Sequence, residues 1–158
     1  MAKEKSFDAV LGQVPSGIFI LTIGTGPRAT GMLASWVMQA GFEPPMVSVA
    51  VRHGRYVCDW LTARHPFVLN IVGEHDKALL KHFAKGFELG APAFEGLETE
   101  PGLGGAPKLA AAIGHLECKP HGHTDSSDHR IFVAEVVGGK LLDERPPMVH
   151  LRKSGKHY

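Results

Sequence analysis

The stretch Gly31-Met-Leu-Ala-Ser-Trp-Val-Met-Gln-Ala-Gly-Phe-Glu-Pro-Pro-Met-Val-Ser-Val-Ala-Val-Arg-His-Gly-Arg-Tyr56 decides how the chain is read. It joins a small-residue run at Ala34-Ser35, a Pro44-Pro45 break and an alternating apolar strand ending in Arg52-His53-Gly54-Arg55. Two prolines cannot both donate to a ladder, so they mark a kink just before that strand. Val47, Val49 and Val51 share one face, and Met46, Ser48 and Ala50 share the other. The small side chains of the second face leave room beside the strand. Beyond Arg55 the period turns helical, pairing Tyr56 with Trp60 and Val57 with Leu61. Arg52, His53, Gly54 and Arg55 thus fall at a helix start, where backbone N–H groups lack partners and guanidinium forks suit phosphate. The same residues also fit a solvated basic turn. Ala34 and Ser35 would let backbone amides approach a flat polar ligand, so the two ends together outline a site for a phosphorylated planar cofactor.

Working outward toward the N-terminus, residues 18–23 are β-branched and aromatic, and a Gly-rich connection leads into a second strand through residues 29–35. The pair reads as a β-hairpin, preceded by a short helix over residues 7–11 and a turn at 14–17. Toward the C-terminus, His65-Pro66 stops the helix and residues 67–72 form a buried strand. Asp76 is placed to cap a helix whose Leu79, Leu80 and Phe83 make an apolar stripe, with Gly86 as its stop. Residues 87–107 are rich in Gly and Pro and read as one long loop, and Pro107 starts a turn of helix through Ala112. Residues 116–119 form a strand, 121–128 a polar loop and 131–137 another strand. Gly138-Gly139 then turns the chain, and a last short strand covers 148–151. Many short strands with two or three helices imply a single domain over residues 1–158, a β-rich barrel or sandwich.

Seventeen Lys and Arg against 16 Asp and Glu leave a net charge of +1, no field for nucleic acid or an anionic membrane surface. No apolar run is long enough to span a bilayer, and no signal-peptide core follows the N-terminus. Two cysteines in no metal or redox spacing imply a reducing compartment, so the expected location is cytoplasmic. Cys58 reads as a buried packing residue rather than a nucleophile, and no GxSxG elbow or paired carboxylates are present. Walker and GxGxxG patterns are also absent. His121, His123 and His129 cluster with Asp125 and Asp128, but their spacing matches no standard zinc pattern and reads as polar surface loop. His129 differs from them because it directly precedes an apolar strand. Trp36 reads as a core or interface aromatic.

Residues 31–37 followed by Phe42-Glu-Pro-Pro-Met-Val-Ser-Val-Ala-Val51 resemble the flavin reductase family, which has the FMN-binding split-barrel fold. Ser127-Asp-His-Arg-Ile-Phe-Val-Ala-Glu-Val136 is similar to that family's Gly-Asp-His strand motif, and the ending Val149-His-Leu-Arg-Lys-Ser-Gly-Lys-His-Tyr158 extends the likeness. Leu80-Lys-His-Phe-Ala-Lys-Gly-Phe87 and Leu116-Glu-Cys118 look like the flavin reductase domain at the C-terminal end of flavodiiron proteins, and the expectation is a free-standing relative of that domain. The resemblance implies a mainly β fold, a six-stranded Greek-key split barrel, usually a homodimer with FMN near the subunit interface.

By the same resemblance Met32, Leu33, Ala34, Ser35 and Trp36 line the isoalloxazine and ribityl chain. Val51, Arg52, His53, Arg55 and Tyr56 surround the ribityl and phosphate, and Phe83, Ala84 and Lys85 approach from the other side. His129 is the catalytic candidate beside the nicotinamide, and Tyr158 reaches the pocket. The implied activity is hydride transfer from NADH or NADPH to FMN, with electrons passed to a monooxygenase or other acceptor. The alternative is a non-enzymatic FMN electron carrier reduced by a protein partner. Two departures stand out: Ser127 replaces the motif glycine, and Tyr56 stands where many relatives carry Thr or Ser beside the phosphate.

Overall fold

The computed structural model describes residues 2–157, and the side chains of residues 7–157. Helix α1 (Ala2–Gly12) leads through the short β1 (Ser16–Gly17) into the hairpin β2 (Phe19–Ile23) and β3 (Thr30–Ala34). A second hairpin follows at once, β4 (Val37–Phe42) with β5 (Pro45–Arg52), the Glu43–Pro44 peptide in its turn being cis. Next come α2 (Tyr56–Thr62), β6 (Phe67–Ile71) and α3 (Lys77–Phe83). The remainder holds the small pair β7 (Thr99–Pro101) and β8 (Pro107–Leu109), the long hairpin β9 (Gly114–Ser126) and β10 (His129–Leu141), and β11 (Val149–His150). The fold is mainly β, as the resemblance implied.

Among the described residues, seven strands form one antiparallel sheet in the order β3-β2-β6-β9-β10-β5-β4. The expected barrel had six; β4, in a segment to which the sequence assigned no element, is the addition, and the sheet is not closed. Laid flat at ~4.8 Å per strand, its first and last strands would lie about 29 Å apart. Yet β3 and β4 are joined by Ser35 and Trp36 alone, and three Cα steps reach at most about 11 Å. The sheet must therefore curl until its two ends meet at that joint. Consecutive strands β5 and β6 are separated in the sheet by β9 and β10, because α2 crosses the end of the curl and packs on β5, β9 and β10.

Curling divides the apolar residues into two cores. Inside lie Leu21, Ile23, Val47, Val49, Val51, Leu69, Phe132 and Ala134, plugged by Val57, Cys58 and Leu61 of α2. The valine alternation read from the sequence is this inner face. Outside, Ile18, Ile20 and Val72 of the β2–β6 side are covered by Leu79 and Phe83 of α3 and by Leu109 and Ala112. Both cysteines are buried, and desolvation pushes the Cys118 thiol up to about 12 and raises that of Cys58. Both are thus packing groups.

Several sequence expectations change, among them that the loop read over residues 87–107 holds strand β7 and that the Asp76 carboxylate pairs with Arg145 instead of capping α3. Residues 121–126 are strand rather than loop: they extend β9 as an edge along β10, which pairs on its other side with β5, and all six are exposed, so no apolar alternation marks them. Gly138-Gly139 is not a turn; it lies within β10 beside a bulge, where a Cβ on Gly139 would sit 2.8 Å from the His115 carbonyl oxygen. Pro107 begins strand β8, not a helical turn, because tertiary groups capture its backbone. The Thr22 hydroxyl donates to the Pro107 carbonyl, and the Leu109 N–H donates to Asn70 Oδ1 at 2.8 Å. Asn70 is fully buried and its amide also donates to the Ile20 carbonyl at 2.9 Å, so this side chain clasps the 87–113 excursion to the barrel. Asn70→Leu should lower the unfolding free energy by about 2 kcal/mol through the unpaired Leu109 N–H, read as a lower urea midpoint at unchanged slope.

Candidate flavin and nicotinamide cleft

The joint that closes the curl also lines a cleft. Its walls are Met32, Leu33 and Ala34 of β3, Ser35 and Trp36 of the joint, and Ala50, Val51 and Arg52 of β5. Arg55, Phe83 and Ala84 complete it, together with Ile18, Leu80 and His150. Ala50 is the small residue whose face of β5 was read as leaving room. Phe83 is brought in by Gly31, since a Cβ there would lie 2.7 Å from the phenyl ring. This close approach of α3 to β3 fixes the floor of the cleft.

A second compartment continues from Met32 and Arg55, adding Gly54, Tyr56, Lys85 and Phe87. Gly54 holds φ at +89°, a left-handed conformation that turns the chain between β5 and α2. The Tyr56 hydroxyl donates to the Phe87 carbonyl at 2.7 Å and lies 2.9 Å from Thr30 Oγ1. It ties three segments together. Helix α2 is two turns long, so the capacity to hold an anion rests on the side chains of Arg55 and Lys85. Among the described residues neither forms an ion pair.

A third compartment opens from Trp36 and Arg52 toward Asp128, His129 and the C-terminal segment. His129 starts β10 opposite Arg52, is buried, and stands with its ring centroid 4.7 Å from Trp36. Its Nδ1 is 2.7 Å from Asp128 Oδ1, and this hydrogen bond is the largest influence holding the Asp128 carboxyl below its usual range. Asp128 is therefore ionised at neutral pH and Nδ1 of His129 carries a proton. Ser127 occupies φ +46° in the two-residue turn before them, the left-handed region that the motif glycine enters without steric cost.

Thirteen of the fifteen residues singled out from the sequence line these three connected compartments. His53 does not: its Nε2 faces Asp125 Oδ1 at 3.5 Å, while its backbone N–H donates to the Asp128 carbonyl at 3.0 Å. Tyr158 lies outside the described residues. Sequence reasoning missed Ile18, Leu80 and His150, which carry no local signal because distant elements bring them to the cleft. It also missed Arg152, whose guanidinium stands 5.3 Å from the Trp36 ring. Among the described residues no cluster of metal-ligating side chains exists, and no helix is long and apolar enough to cross a membrane.

The donor set fits a phosphorylated flavin: an apolar slot floored by Phe83, with guanidinium and ammonium groups at one end. Replacing Ser127 by Gly should relieve the left-handed strain and raise stability by up to about 1 kcal/mol, seen as a higher melting temperature with the cleft intact.

The family model of the flavin reductase like domain matches residues 11–157. The chain is 38% identical over 153 residues to putative diflavin flavoprotein A 3 of a Nostoc species, covering 96% of this chain and 27% of that protein. It is 36% identical to diflavin flavoprotein A 1 of a Synechocystis species, over 98% of this chain and 27% of that one. The chain thus spans about a quarter of the length of the curated relatives it matches. Among solved structures, the NADH:FAD oxidoreductase SgcE6 of Streptomyces globisporus, in complex with NAD and FAD fragments, superposes with a TM-score of 0.80 at 27% identity, over 94% of this chain and 87% of that chain. A curled, unclosed antiparallel sheet with a cleft at its seam, matched along nearly its whole length, makes this chain a member of the flavin reductase-like family.

Proposed function

We propose that this chain is an NAD(P)H-dependent flavin reductase that holds FMN in the cleft at the barrel seam. The observation that carries the reading is the continuity of the three compartments through Met32, Arg55, Trp36 and Arg52. One groove can thus receive a phosphate at one end, a planar ring in the middle and a second ring beside His129.

Arg55 and Lys85 bind the flavin phosphate at the Tyr56 end, and Arg52 stands where the ring slot meets the His129 compartment. Met32, Leu33, Ala34 and Ser35 form the wall against the ring, and the small side chains of Ala34 and Ala50 keep the slot narrow but open. Phe83 and Ala84 exclude water from below. The chemistry supplied there by bound FMN is acceptance of a hydride from reduced nicotinamide. His129, held by Asp128 and packed on Trp36, positions the nicotinamide and is the residue assigned a catalytic role. No nucleophile or triad is needed, in keeping with two buried, protonated thiols.

The NAD and FAD fragments in the SgcE6 complex support a nicotinamide cosubstrate. Electrons then pass to a monooxygenase component or another acceptor. A homodimer with FMN near the interface is supported by edge strand β4, where Phe42 is 90% and Met38 72% exposed; an apolar edge of this kind calls for a partner. Phe42→Asp should halve the mass measured by light scattering.

The deciding measurement is the visible spectrum of the purified protein, followed by anaerobic mixing with NADH or NADPH and chromatography of the released flavin. Bleaching within seconds and release of FMN are expected. A coloured protein that neither nucleotide bleaches would instead be an electron carrier reduced by a protein. Arg55→Ala should weaken FMN binding about ten-fold or more, the loss of one charge-assisted contact to phosphate. His129→Ala should slow reduction at limiting nucleotide while FMN stays bound, and unchanged kinetics would remove His129 from its role.

A further inference from the structure

We propose that the compartment beside His129 binds the phosphate groups of the nicotinamide dinucleotide, with Arg152 as its main anion-binding residue. This deepens the reductase reading and rests on it for the identity of the ligand. The flavin phosphate is assigned to Arg55 and Lys85 at the opposite end of the groove, so a second group of cations needs its own anion. Arg52, Arg152, Lys156 and His157 line this compartment, and among the described residues Asp128 is the sole acidic side chain lining it. The Asp128 carboxylate is already engaged by His129 at 2.7 Å.

Arg152 is held in place before any ligand arrives. Its backbone N–H donates to the Gly12 carbonyl at 2.9 Å. Its two terminal nitrogens donate to the carbonyls of Leu11 and His157, each at 3.4 Å. Carbonyl oxygens orient a guanidinium without neutralising it, and among the described residues Arg152 has no ion pair. The wall around it is locked to α1 as well. The Gly155 N–H donates to the Asp8 carbonyl at 2.8 Å, and the Ser154 hydroxyl donates to the Asp8 carboxylate at 3.0 Å.

This closeness needs glycine on both sides. A Cβ on Gly12 would lie 2.3 Å from the Arg152 carbonyl oxygen, and one on Gly155 would lie 2.4 Å from Leu11. Helix α1 and the C-terminal segment thus form a brace whose product is a fixed arginine, and fixing it beforehand lowers the ordering cost of binding.

The position suits a dinucleotide. Its pyrophosphate lies one ribose away from the nicotinamide ring, so the group that binds it must stand near His129 without occupying the reacting position. Arg152 meets that condition through Trp36, whose ring is 4.7 Å from His129 and 5.3 Å from the guanidinium. A guanidinium fork also binds pyrophosphate oxygens in pairs, which an ammonium cannot do.

The test uses the flavin-loaded protein and its Arg152→Ala and Arg152→Lys variants. Calorimetry with ADP-ribose, which carries the pyrophosphate without nicotinamide, should give binding that Arg152→Ala weakens about ten-fold and Arg152→Lys partly restores. Stopped-flow reduction should give a similar rise in KM for the nucleotide with kcat unchanged. The phosphate-free donor 1-benzyl-1,4-dihydronicotinamide should reduce wild type and Arg152→Ala at equal rates. Equal ADP-ribose affinity in wild type and Arg152→Ala would overturn the proposal. So would an equal loss of rate with the phosphate-free donor, because Arg152 would then act only by packing on Trp36. Lys156→Ala, at an exposed position, should give a smaller fall in ADP-ribose affinity and guards against misfolding of the Arg152 variants. Arg152-dependent ADP-ribose binding in a protein that neither nucleotide reduces would support the anion site and overturn the reductase reading instead.

Discussion

Two residues, Ser35 and Trp36, join the first and last strands of a seven-stranded sheet. Such a joint leaves the sheet no choice but to curl, since a flat arrangement would need a connection nearly three times as long. Much else follows from this constraint. Curling gives the sheet an inside, which the β5 valines and the helix α2 fill. It also leaves a seam, and at the seam the small side chains of Ala34 and Ala50 face a common cleft. The connection that holds the barrel together is therefore also the wall of the candidate site.

The seam alone would be shallow. Depth comes from elements far away in the chain, each admitted by a local device. Gly31 lets Phe83 rest on β3, and Asn70 clasps the long excursion that covers α3. Gly12 and Gly155 bring the C-terminal segment onto α1, which places Arg152 against Trp36. Cationic groups then stand at both ends of one groove with apolar walls between them, an arrangement suited to two phosphorylated planar molecules lying together.

Legibility of the sequence varied by region for physical reasons. Strand β5 was readable because one of its faces is core and the other is cleft, so the alternation is strict. Residues 121–126 were not, since this end of β9 is an exposed edge beside β10 and imposes no apolar period. Gly138-Gly139 read as a turn because glycine marks both turns and bulges, and only the pairing partner distinguishes them. In the site, Arg52, Arg55 and the Ala34-Ser35 pair carried local signals. His53 did too, yet it turns toward Asp125, because neighbours on a strand end point to opposite sides.

By itself the sequence determined the local elements with a buried face, the basic turn before α2, the small-residue wall and, through its motifs, the family. These depend on side-chain pattern within a few residues, where periodicity and backbone chemistry act directly. The tertiary structure alone decided that β4 joins the sheet, that the sheet stays unclosed, and that Ile18, Leu80, His150 and Arg152 reach the cleft. The last of these depends on contacts between residues more than a hundred positions apart, such as Arg152 with Gly12. No local pattern encodes a contact of that kind, because it exists only once the sheet has curled.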